Sequence, residues 1–191
     1  MHEKPQVTGE TLLHGGRFVQ LKDLEWTDAY GQARHWESAE RPGDCGAVLI
    51  VALLRPSDRV VLIRQYRPPA RRPVYEFPAG LVDAGETPEA AAARELREET
   101  GYTASTMRIF PAAYTTPGLS SESVFMVCAE IDEQSPENIT PRTEFDESEM
   151  IETLLIKRAD LPGFYRRETA TGASFDAKLA AYIIALGANG E

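Results

Sequence analysis

The stretch from Thr87 to Gly101 constrains the fold most, because it carries the start and stop signals of one helix. Thr87 is a good N-cap residue, Pro88 suits the first helical position, and Gly101 is placed to end the helix. Three carboxylates fall on one face of this helix: Glu95, Glu98 and Glu99. Ala93 and Leu96 point the other way, towards a core. The sequence therefore predicts a helix that is buried on one side and acidic on the other.

The acidic face is unfavourable for the helix by itself. Like charges three and four residues apart repel, and anions near a helix C-terminus oppose the macrodipole. A divalent cation would relieve both effects, and carboxylate oxygens suit Mg²⁺, with Mn²⁺ as a substitute. The alternative is an ordinary solvated acidic face, which charge alone favours. Both interpretations stay open at this point.

The rest of the chain alternates between strand signals and turns. The first ten or so residues are polar, and we expect them to be loosely held. Residues 16–41 predict a β-hairpin, and residues 47–54 predict a strand buried on both faces. Further strands are predicted at 60–66, 74–77, 107–114, 123–131 and 150–156, a long loop at 132–148, and a C-terminal helix at 175–186. This order indicates an α+β protein, with a hairpin region at 1–41 and a main domain at 42–191.

Charge and composition exclude several classes of protein. The net charge is −10, with 20 Lys and Arg against 30 Asp and Glu, so we expect no nucleic-acid partner. The longest apolar run, residues 47–54, is too short to cross a membrane, and the N-terminus lacks the apolar segment of a secretory signal. Cys45, Cys128 and the three histidines lack zinc-site spacing, and we expect both thiols to be buried. A cytoplasmic protein fits best.

The helix is part of a longer pattern that resembles the Nudix box, the signature of the Nudix hydrolases. From Gly80 the sequence reads Gly, five residues, Glu86, seven residues, and then Arg-Glu-Leu-x-Glu-Glu-x-Gly. Only Tyr102 departs from the pattern, which has an aliphatic residue there, and an aromatic side chain should still pack. Residues 36–38, 64–69, 76–80 and 116–118 resemble the ADP-ribose and ADP-sugar pyrophosphatase branch, with Pro117 as its usual mark. The resemblance implies the Nudix fold, an α/β/α sandwich around a mixed sheet, and a homodimer that exchanges its N-terminal hairpin sheet.

The resemblance also implies the reaction and its metal ligands. The expected reaction is Mg²⁺-dependent hydrolysis of ADP-ribose, or of other ADP-sugars, to AMP and a sugar phosphate such as ribose 5-phosphate. The implied Mg²⁺ ligands are Glu95 and Glu99, with Glu98 as a third and the main-chain carbonyl of Ala79 as a fourth. Arg94 is expected to orient Glu98 or Glu99 without touching substrate, and Glu86 to order the loop before the helix.

The same resemblance implies which residues bind the substrate. Trp36 and Phe18 are expected to stack on adenine, and Glu37 to bond the adenine edge. Arg41 and Arg67 are expected to neutralise the diphosphate. Leu81 and Thr116 would line the pocket. Glu122 completes a Thr-Pro-Gly-x-x-x-Glu pattern and has no assigned role.

Three alternatives remain open from the sequence. One is an enzyme that acts on a broader set of nucleoside diphosphate sugars, such as GDP-mannose or ADP-glucose. A protein of another class would be a sensor that binds ADP-ribose without cleaving it. The catalytic base is also open: Glu147 matches the position of the base in bacterial members, Glu149 matches a metal-contacting glutamate, and Glu98 is the candidate within the box.

Overall fold

The computed structural model describes residues 4–43, 46–144 and 150–188. The chain divides into two compact units, one of residues 1–47 with 112–124, the other of residues 48–111 with 125–191. Three strands begin the chain: β1 (Gln6–Gly15), β2 (Gln20–Thr27) and β3 (Ala33–Glu40). The remaining elements, in chain order, are β4 (Ala47–Arg55), β5 (Arg59–Arg67), β6 (Arg72–Glu76), β7 (Ala79–Leu81), α1 (Pro88–Thr100), β8 (Thr106–Tyr114), β9 (Ser123–Asp132), α2 (Pro136–Ile139), β10 (Ile151–Lys157), α3 (Leu161–Ala170), β11 (Ser174–Phe175) and α4 (Ala177–Ala188).

The first unit contains an antiparallel sheet in the order β1-β2-β3. The predicted hairpin is present as β2 and β3, which pair from Gln20 with Glu40 to Thr27 with Ala33. The expectation that the first ten residues are loosely held is wrong from Gln6 onwards, where β1 begins, and residues 1–3 lie outside the described ranges. Strand β1 pairs with β2 along its whole length, from Gln6 with Thr27 to Gly15 with Gln20. Its side chains are almost all exposed, so the backbone ladder forms without the apolar alternation that would have revealed a strand.

The second unit is built on a mixed sheet with helices on both faces. The strand order is β11-β6-β5-β4-β9-β8, with β10 paired to β5 and β7 paired to β4. Strands β11 and β6 are parallel, whereas β5 is antiparallel to β4, β6 and β10. This mixed α/β/α arrangement confirms the predicted fold class.

The two helical layers bury different parts of the core. On one face, Ala91, Ala92 and Leu96 of α1 pack into a cluster with Val48 and Ile50 of β4. On the other face, the rings of Tyr75 and Phe164 lie 5.2 Å apart, edge to face, and those of Phe77 and Tyr182 lie 5.4 Å apart. Each face of the sheet therefore has its own apolar layer, with α1 on one side and α3 and α4 on the other.

Several local expectations differ from the structure. Helix α3 was not predicted, and the predicted loop at 132–148 contains the single turn α2. Ala93 is exposed rather than directed towards the core, while Leu96 and Tyr102 are buried as expected. The expectation of buried thiols is wrong for Cys128, which is exposed because it occupies an outward position in β9, between the buried residues Val127 and Ala129. Cys45 lies outside the described residues. No helix in the described ranges is long and apolar enough to cross a membrane.

Candidate active site

The acidic helix begins and ends where its sequence signals place the boundaries. The Thr87 hydroxyl accepts a hydrogen bond from the Ala90 N–H at 3.2 Å, satisfying one of the open donors of the first turn. Gly101 ends the helix with φ of 75°, and its N–H donates to the Arg97 carbonyl at 2.8 Å. A side chain at Gly101 would also collide with the backbone of Arg142. Helix α1 is thus fixed at both ends.

Strand β7 lies directly against the carboxylates of α1. A side chain at Gly80 would occupy the space that the Glu95 carboxylate fills. One residue earlier, the Ala79 N–H donates to Glu99 Oε2 at 3.0 Å. Glu99 is only 6% exposed, so this bond matters for the stability of a buried carboxylate. The backbone of β7 therefore lies against two of the three acidic residues, at Gly80 because there is no side chain and at Ala79 through its N–H.

Arg94 joins the carboxylates of the box. Its Nη1 donates to Glu95 Oε1 at 2.8 Å and to Glu98 Oε2 at 3.1 Å. Its Nε and Nη2 donate to the two oxygens of Glu86 at 3.1 and 3.0 Å, and Nη2 also donates to the Leu81 carbonyl at 2.9 Å. A rigid, planar guanidinium can serve all these acceptors at once, which a lysine could not do.

These contacts shift the pKa values of the paired groups. Hydrogen bonds from Arg94 and from the Asp83 N–H hold the pKa of the Glu86 carboxyl below its usual value. The pKa of Arg94 lies above its usual value, chiefly because of its hydrogen bond to Glu86. Both groups are therefore charged at neutral pH. The loop from Gly80 to Thr87 is tied to α1 by this ion pair, as expected for Glu86.

The carboxylates are not gathered on a common point. Within residues 4–43, 46–144 and 150–188, no three acidic, histidine or cysteine side chains converge closely enough to hold a metal ion as they stand. Arg94 lies between Glu86, Glu95 and Glu98 and supplies the positive charge there. The arrangement thus combines an arginine hub with carboxylates that project from one helix face.

Two further predicted residues lie in the second unit. Arg67 ends β5, and its guanidinium forms a two-pronged ion pair with Glu76 of β6, with distances of 2.9 and 2.6 Å. This pair, supported by the charge of Glu99, raises the pKa of Arg67 above its usual value. Leu81, at the end of β7, is exposed. Nothing in the sequence indicated a role for Glu76 itself, although residues 76–80 resemble the pyrophosphatase branch.

The other predicted substrate residues lie in the first unit. The Phe18 and Trp36 side chains are exposed, and Trp36 Nε1 donates to the Gly118 carbonyl at 3.1 Å. Glu37 is exposed on β3, next to Trp36. Thr116 is exposed, and its carbonyl accepts from the N–H groups of Leu119 and Ser120, closing a turn.

Trp36 lines an apolar cavity of about 380 Å³ within the first unit, together with Leu24, Trp26 and Pro117. The Trp26 Nε1 atom is buried and has no hydrogen-bond partner among the described residues. Sequence reasoning missed Trp26. The alternation of side chains along β2 could have indicated Trp26, because it places Leu24 and Trp26 on one face of the strand. In the structure, Trp36 of β3 lies directly opposite Leu24.

Arg41 and Glu122 form an ion pair within the first unit. Arg41 Nε donates to Glu122 Oε1 at 3.1 Å, and the Thr115 hydroxyl donates to Oε2 at 3.0 Å. Glu122, which had no assigned role, therefore orients Arg41. The two arginines expected to bind diphosphate are each held by a carboxylate, Arg41 by Glu122 and Arg67 by Glu76.

Glu147 and Glu149, the predicted base candidates, lie outside the described residues. The chain just before them is attached to the acidic helix. The Glu144 N–H donates to the Glu98 carbonyl at 2.9 Å, and Arg97 and Glu144 form an ion pair at 3.1 Å. Beyond them, Ile151 pairs with Gln65 at the start of β10.

Comparison with known proteins agrees with this geometry. A family model described as NUDIX domain matches residues 45–172. The chain is 35% identical to an ADP-sugar pyrophosphatase of Mus musculus, over 96% of this chain and 88% of that protein. It is 32% identical to an ADP-ribose pyrophosphatase of Saccharomyces cerevisiae, over 85% of this chain and 74% of that protein. A crystal structure of an ADP compounds hydrolase superposes with a TM-score of 0.76 at 23% identity, covering 99% of this chain and 95% of that one.

Proposed function

This chain belongs to the NUDIX family, and we propose that it hydrolyses the diphosphate bond of ADP-ribose and of related ADP-sugars. Water adds to one phosphorus, the bond from that phosphorus to the bridging oxygen breaks, and the bridging oxygen leaves with the other phosphate. From ADP-ribose the products are AMP and ribose 5-phosphate. The observation that carries the proposal is the close approach of Gly80 and Ala79 to Glu95 and Glu99 on the acidic helix.

The donor set fits a hard divalent cation such as Mg²⁺, with Mn²⁺ as a substitute. Three carboxylates project from one end of α1, and the absence of a side chain at Gly80 leaves Glu95 against the backbone of β7. We propose that Glu95, Glu98, Glu99 and the Ala79 carbonyl hold the cation. When bound, it neutralises charge on the diphosphate oxygens and makes a coordinated water more acidic.

Arg94 is proposed as a positioning residue. Its hydrogen bonds fix the directions of Glu95 and Glu98, and its bonds to Glu86 and Leu81 tie the preceding loop to the same helix. Such support keeps ligands in a productive geometry without contacting the substrate. It also lowers the electrostatic cost of three neighbouring carboxylates on one helix.

The remaining substrate roles stay as the sequence suggests. We propose that Trp36 and Phe18 bind the adenine with Glu37, that Arg41 and Arg67 bind the diphosphate, and that Leu81 and Thr116 line the pocket. The apolar cavity beside Trp36 supports the adenine assignment. Arg41 and Arg67 are each oriented by a carboxylate partner, Glu122 and Glu76. We keep the cytoplasm as the proposed location.

A substrate panel tests the proposed function. The purified protein is given Mg²⁺ and ADP-ribose, ADP-glucose or GDP-mannose, and products are separated by chromatography. We expect the highest kcat/KM for ADP-ribose, with AMP and ribose 5-phosphate as products. A preference for GDP-mannose or ADP-glucose would favour the broader nucleotide-sugar hydrolase. Binding of ADP-ribose without turnover, in either Mg²⁺ or Mn²⁺, would favour a sensor.

The base is proposed to be Glu149 or Glu147, with Glu149 preferred. The attachment of Glu144 to the Glu98 carbonyl supports this, because it brings the chain leading to both residues onto the acidic helix. We expect one of Glu147→Gln or Glu149→Gln to lower kcat at least about tenfold, with little change in nucleotide affinity. If the double variant keeps the wild-type kcat, the base lies within the box, and Glu98 becomes the candidate.

The protein is also proposed to be a homodimer that exchanges its N-terminal sheet. Large apolar side chains are concentrated on the surface of the first unit. It carries nine of the fourteen that are exposed among the described residues: Val7, Leu12, Leu13, Phe18, Val19, Tyr30, Trp36, Tyr114 and Leu119. Exposed apolar surface of this kind favours a partner, and a second copy is the partner that the family resemblance suggests.

A further inference from the structure

A polar cavity lies in the second unit, beside the start of β6 and the end of α3. Its volume is about 410 Å³, and three arginines line it: Arg64, Arg71 and Arg72. The chain as a whole carries a net charge of −10. Three cations around one cavity therefore differ sharply from the rest of the surface and indicate an anionic ligand.

This cavity is separated from the acidic helix by the sheet. Neighbouring residues of a strand point to opposite faces. Glu76 points to the α1 face of the sheet. It pairs with Arg67, and the charge of Glu99 in α1 contributes to the raised pKa of Arg67. Tyr75 lines the cavity and packs against Phe164 of α3. The cavity therefore opens on the α3 face of the sheet, whereas the carboxylates of the box are on the α1 face.

Two of the three arginines have no carboxylate partner within the described residues. Arg71 is held in the left-handed region, with φ of 57°, and its N–H donates to the carbonyls of Arg67 and Pro68. Among the described residues, the Arg72 side chain makes one long hydrogen bond of 3.5 Å, from Nη1 to Ser174 Oγ. By contrast, Arg64 lies over the Tyr75 ring and pairs with Glu152 at 3.3 Å. Arg71 and Arg72 are thus the cations placed to meet an incoming anion.

The lining of the same cavity also offers groups that suit a hydroxylated ligand. Glu168 accepts a hydrogen bond from the Tyr75 hydroxyl at 3.1 Å, and its backbone carbonyl accepts from the Thr171 hydroxyl at 2.8 Å. A carboxylate repels a second anionic group but accepts hydrogen bonds from sugar hydroxyls. The volume falls within the range of small-molecule sites, well above the space of a few waters.

We propose that this cavity binds a sugar phosphate. The phosphate would lie between Arg71 and Arg72, and a sugar hydroxyl would donate to Glu168. The site does not depend on the proposed hydrolytic activity, because none of these residues belongs to the box or to the proposed substrate pocket.

Calorimetric titration of the metal-free protein with ribose 5-phosphate, and separately with inorganic phosphate, tests this site. Arg71→Gly/Arg72→Ala removes both cations, and glycine suits the positive φ at position 71. The matched control is Arg59→Ala/Arg108→Ala, which removes two exposed arginines of the same unit outside the cavity. Glu168→Gln tests the sugar end. Thermal unfolding of each variant checks that it is folded.

We expect saturable binding of ribose 5-phosphate to the wild type, and binding at least about tenfold weaker in Arg71→Gly/Arg72→Ala. The control should bind as the wild type does. Glu168→Gln should weaken ribose 5-phosphate more than inorganic phosphate, which indicates that the sugar contributes. No saturable binding to the wild type, or an equal loss in both arginine variants, would overturn the proposal. Equal affinity for the two ligands in every variant would reduce the site to a phosphate site and overturn the assignment of the sugar.

Discussion

At the scale of single residues, the candidate site depends on a position that has no side chain. Gly80 lies where any Cβ would collide with the Glu95 carboxylate. Its neighbour Ala79 reaches Glu99 through its N–H. The close approach of strand β7 to helix α1 therefore holds two carboxylates of the box against the backbone of β7. Carboxylate oxygens are donors that a hard cation prefers.

The first prediction concerns Gly80. In Gly80→Ala the new methyl group displaces the Glu95 carboxylate, so we expect weaker Mg²⁺ activation and a kcat lower by about tenfold or more. The Mg²⁺ dependence of ADP-ribose hydrolysis measures this effect. Gly163→Ala is the control, because an added Cβ meets only the end of the Arg167 side chain at 3.4 Å. Equal Mg²⁺ dependence in the wild type and Gly80→Ala would contradict the role of this contact.

Residue spacing predicted which carboxylates share the helix face, but not how they are held. The prediction that Arg94 orients an acidic residue of the box is consistent with its bond to Glu98. Its simultaneous bonds to Glu86, Glu95 and Leu81 depend on side-chain rotamers and on the path of the loop. Neither can be read from sequence spacing. The same limit hid the Arg41–Glu122 and Arg67–Glu76 pairs, whose members are joined only by the fold.

At the scale of elements, the strongest local signals predicted best. Helix α1 has a capping threonine, an N-terminal proline and a terminal glycine, and its bounds match the prediction. Strand β4, a continuous apolar run, was also predicted. Strand β1 was missed because its side chains are exposed, and α3 was missed because its apolar pattern is weak, with only Leu161 and Phe164 buried. These elements are stabilised by tertiary pairing and packing rather than by local sequence.

The second prediction concerns the start of α1. Thr87→Ala removes the hydrogen bond to the Ala90 N–H, and we expect the free energy of unfolding to fall by about 1 kcal/mol. Urea denaturation followed by circular dichroism measures the change. Ser135→Ala is the matched control, because Ser135 precedes α2 without a capping bond from its side chain. If both variants lose the same stability, the Thr87 cap is not what fixes this helix.

At the scale of the whole molecule, the two units have different surfaces. The second unit has two apolar layers covered by helices, with buried residues from β4, β5, α1, α3 and α4. In contrast, the described part of the first unit contains no helix, and its three-stranded sheet leaves large apolar side chains exposed. Exposed apolar side chains grouped on one surface favour contact with a partner. The difference between the units supports association of two copies through the first unit.

The third prediction follows from this difference. Deleting the residues before Pro42 removes the whole N-terminal sheet, so we expect loss of both the dimer and the activity. Analytical ultracentrifugation and ADP-ribose hydrolysis are measured on the same sample, with circular dichroism to check that the second unit is folded. A folded, fully active monomer would contradict the exchange of this sheet. A folded, inactive monomer is the expected result, because Trp36 and Arg41 are lost with it.

The central claim is that the acidic face of α1 binds a divalent cation that drives diphosphate hydrolysis. Its most direct test is kcat for ADP-ribose across a Mg²⁺ titration, for the wild type, Glu98→Gln, Glu99→Gln and Glu89→Gln. Glu89 lies in the first turn of the same helix and is exposed, so its variant controls for lost charge on α1. We predict no turnover without a divalent cation, a kcat about two orders of magnitude lower in Glu98→Gln and Glu99→Gln, and near wild-type kcat in Glu89→Gln. Near-normal turnover in Glu98→Gln or Glu99→Gln, or full activity in excess EDTA, would contradict the claim and leave the acidic face as an ordinary surface.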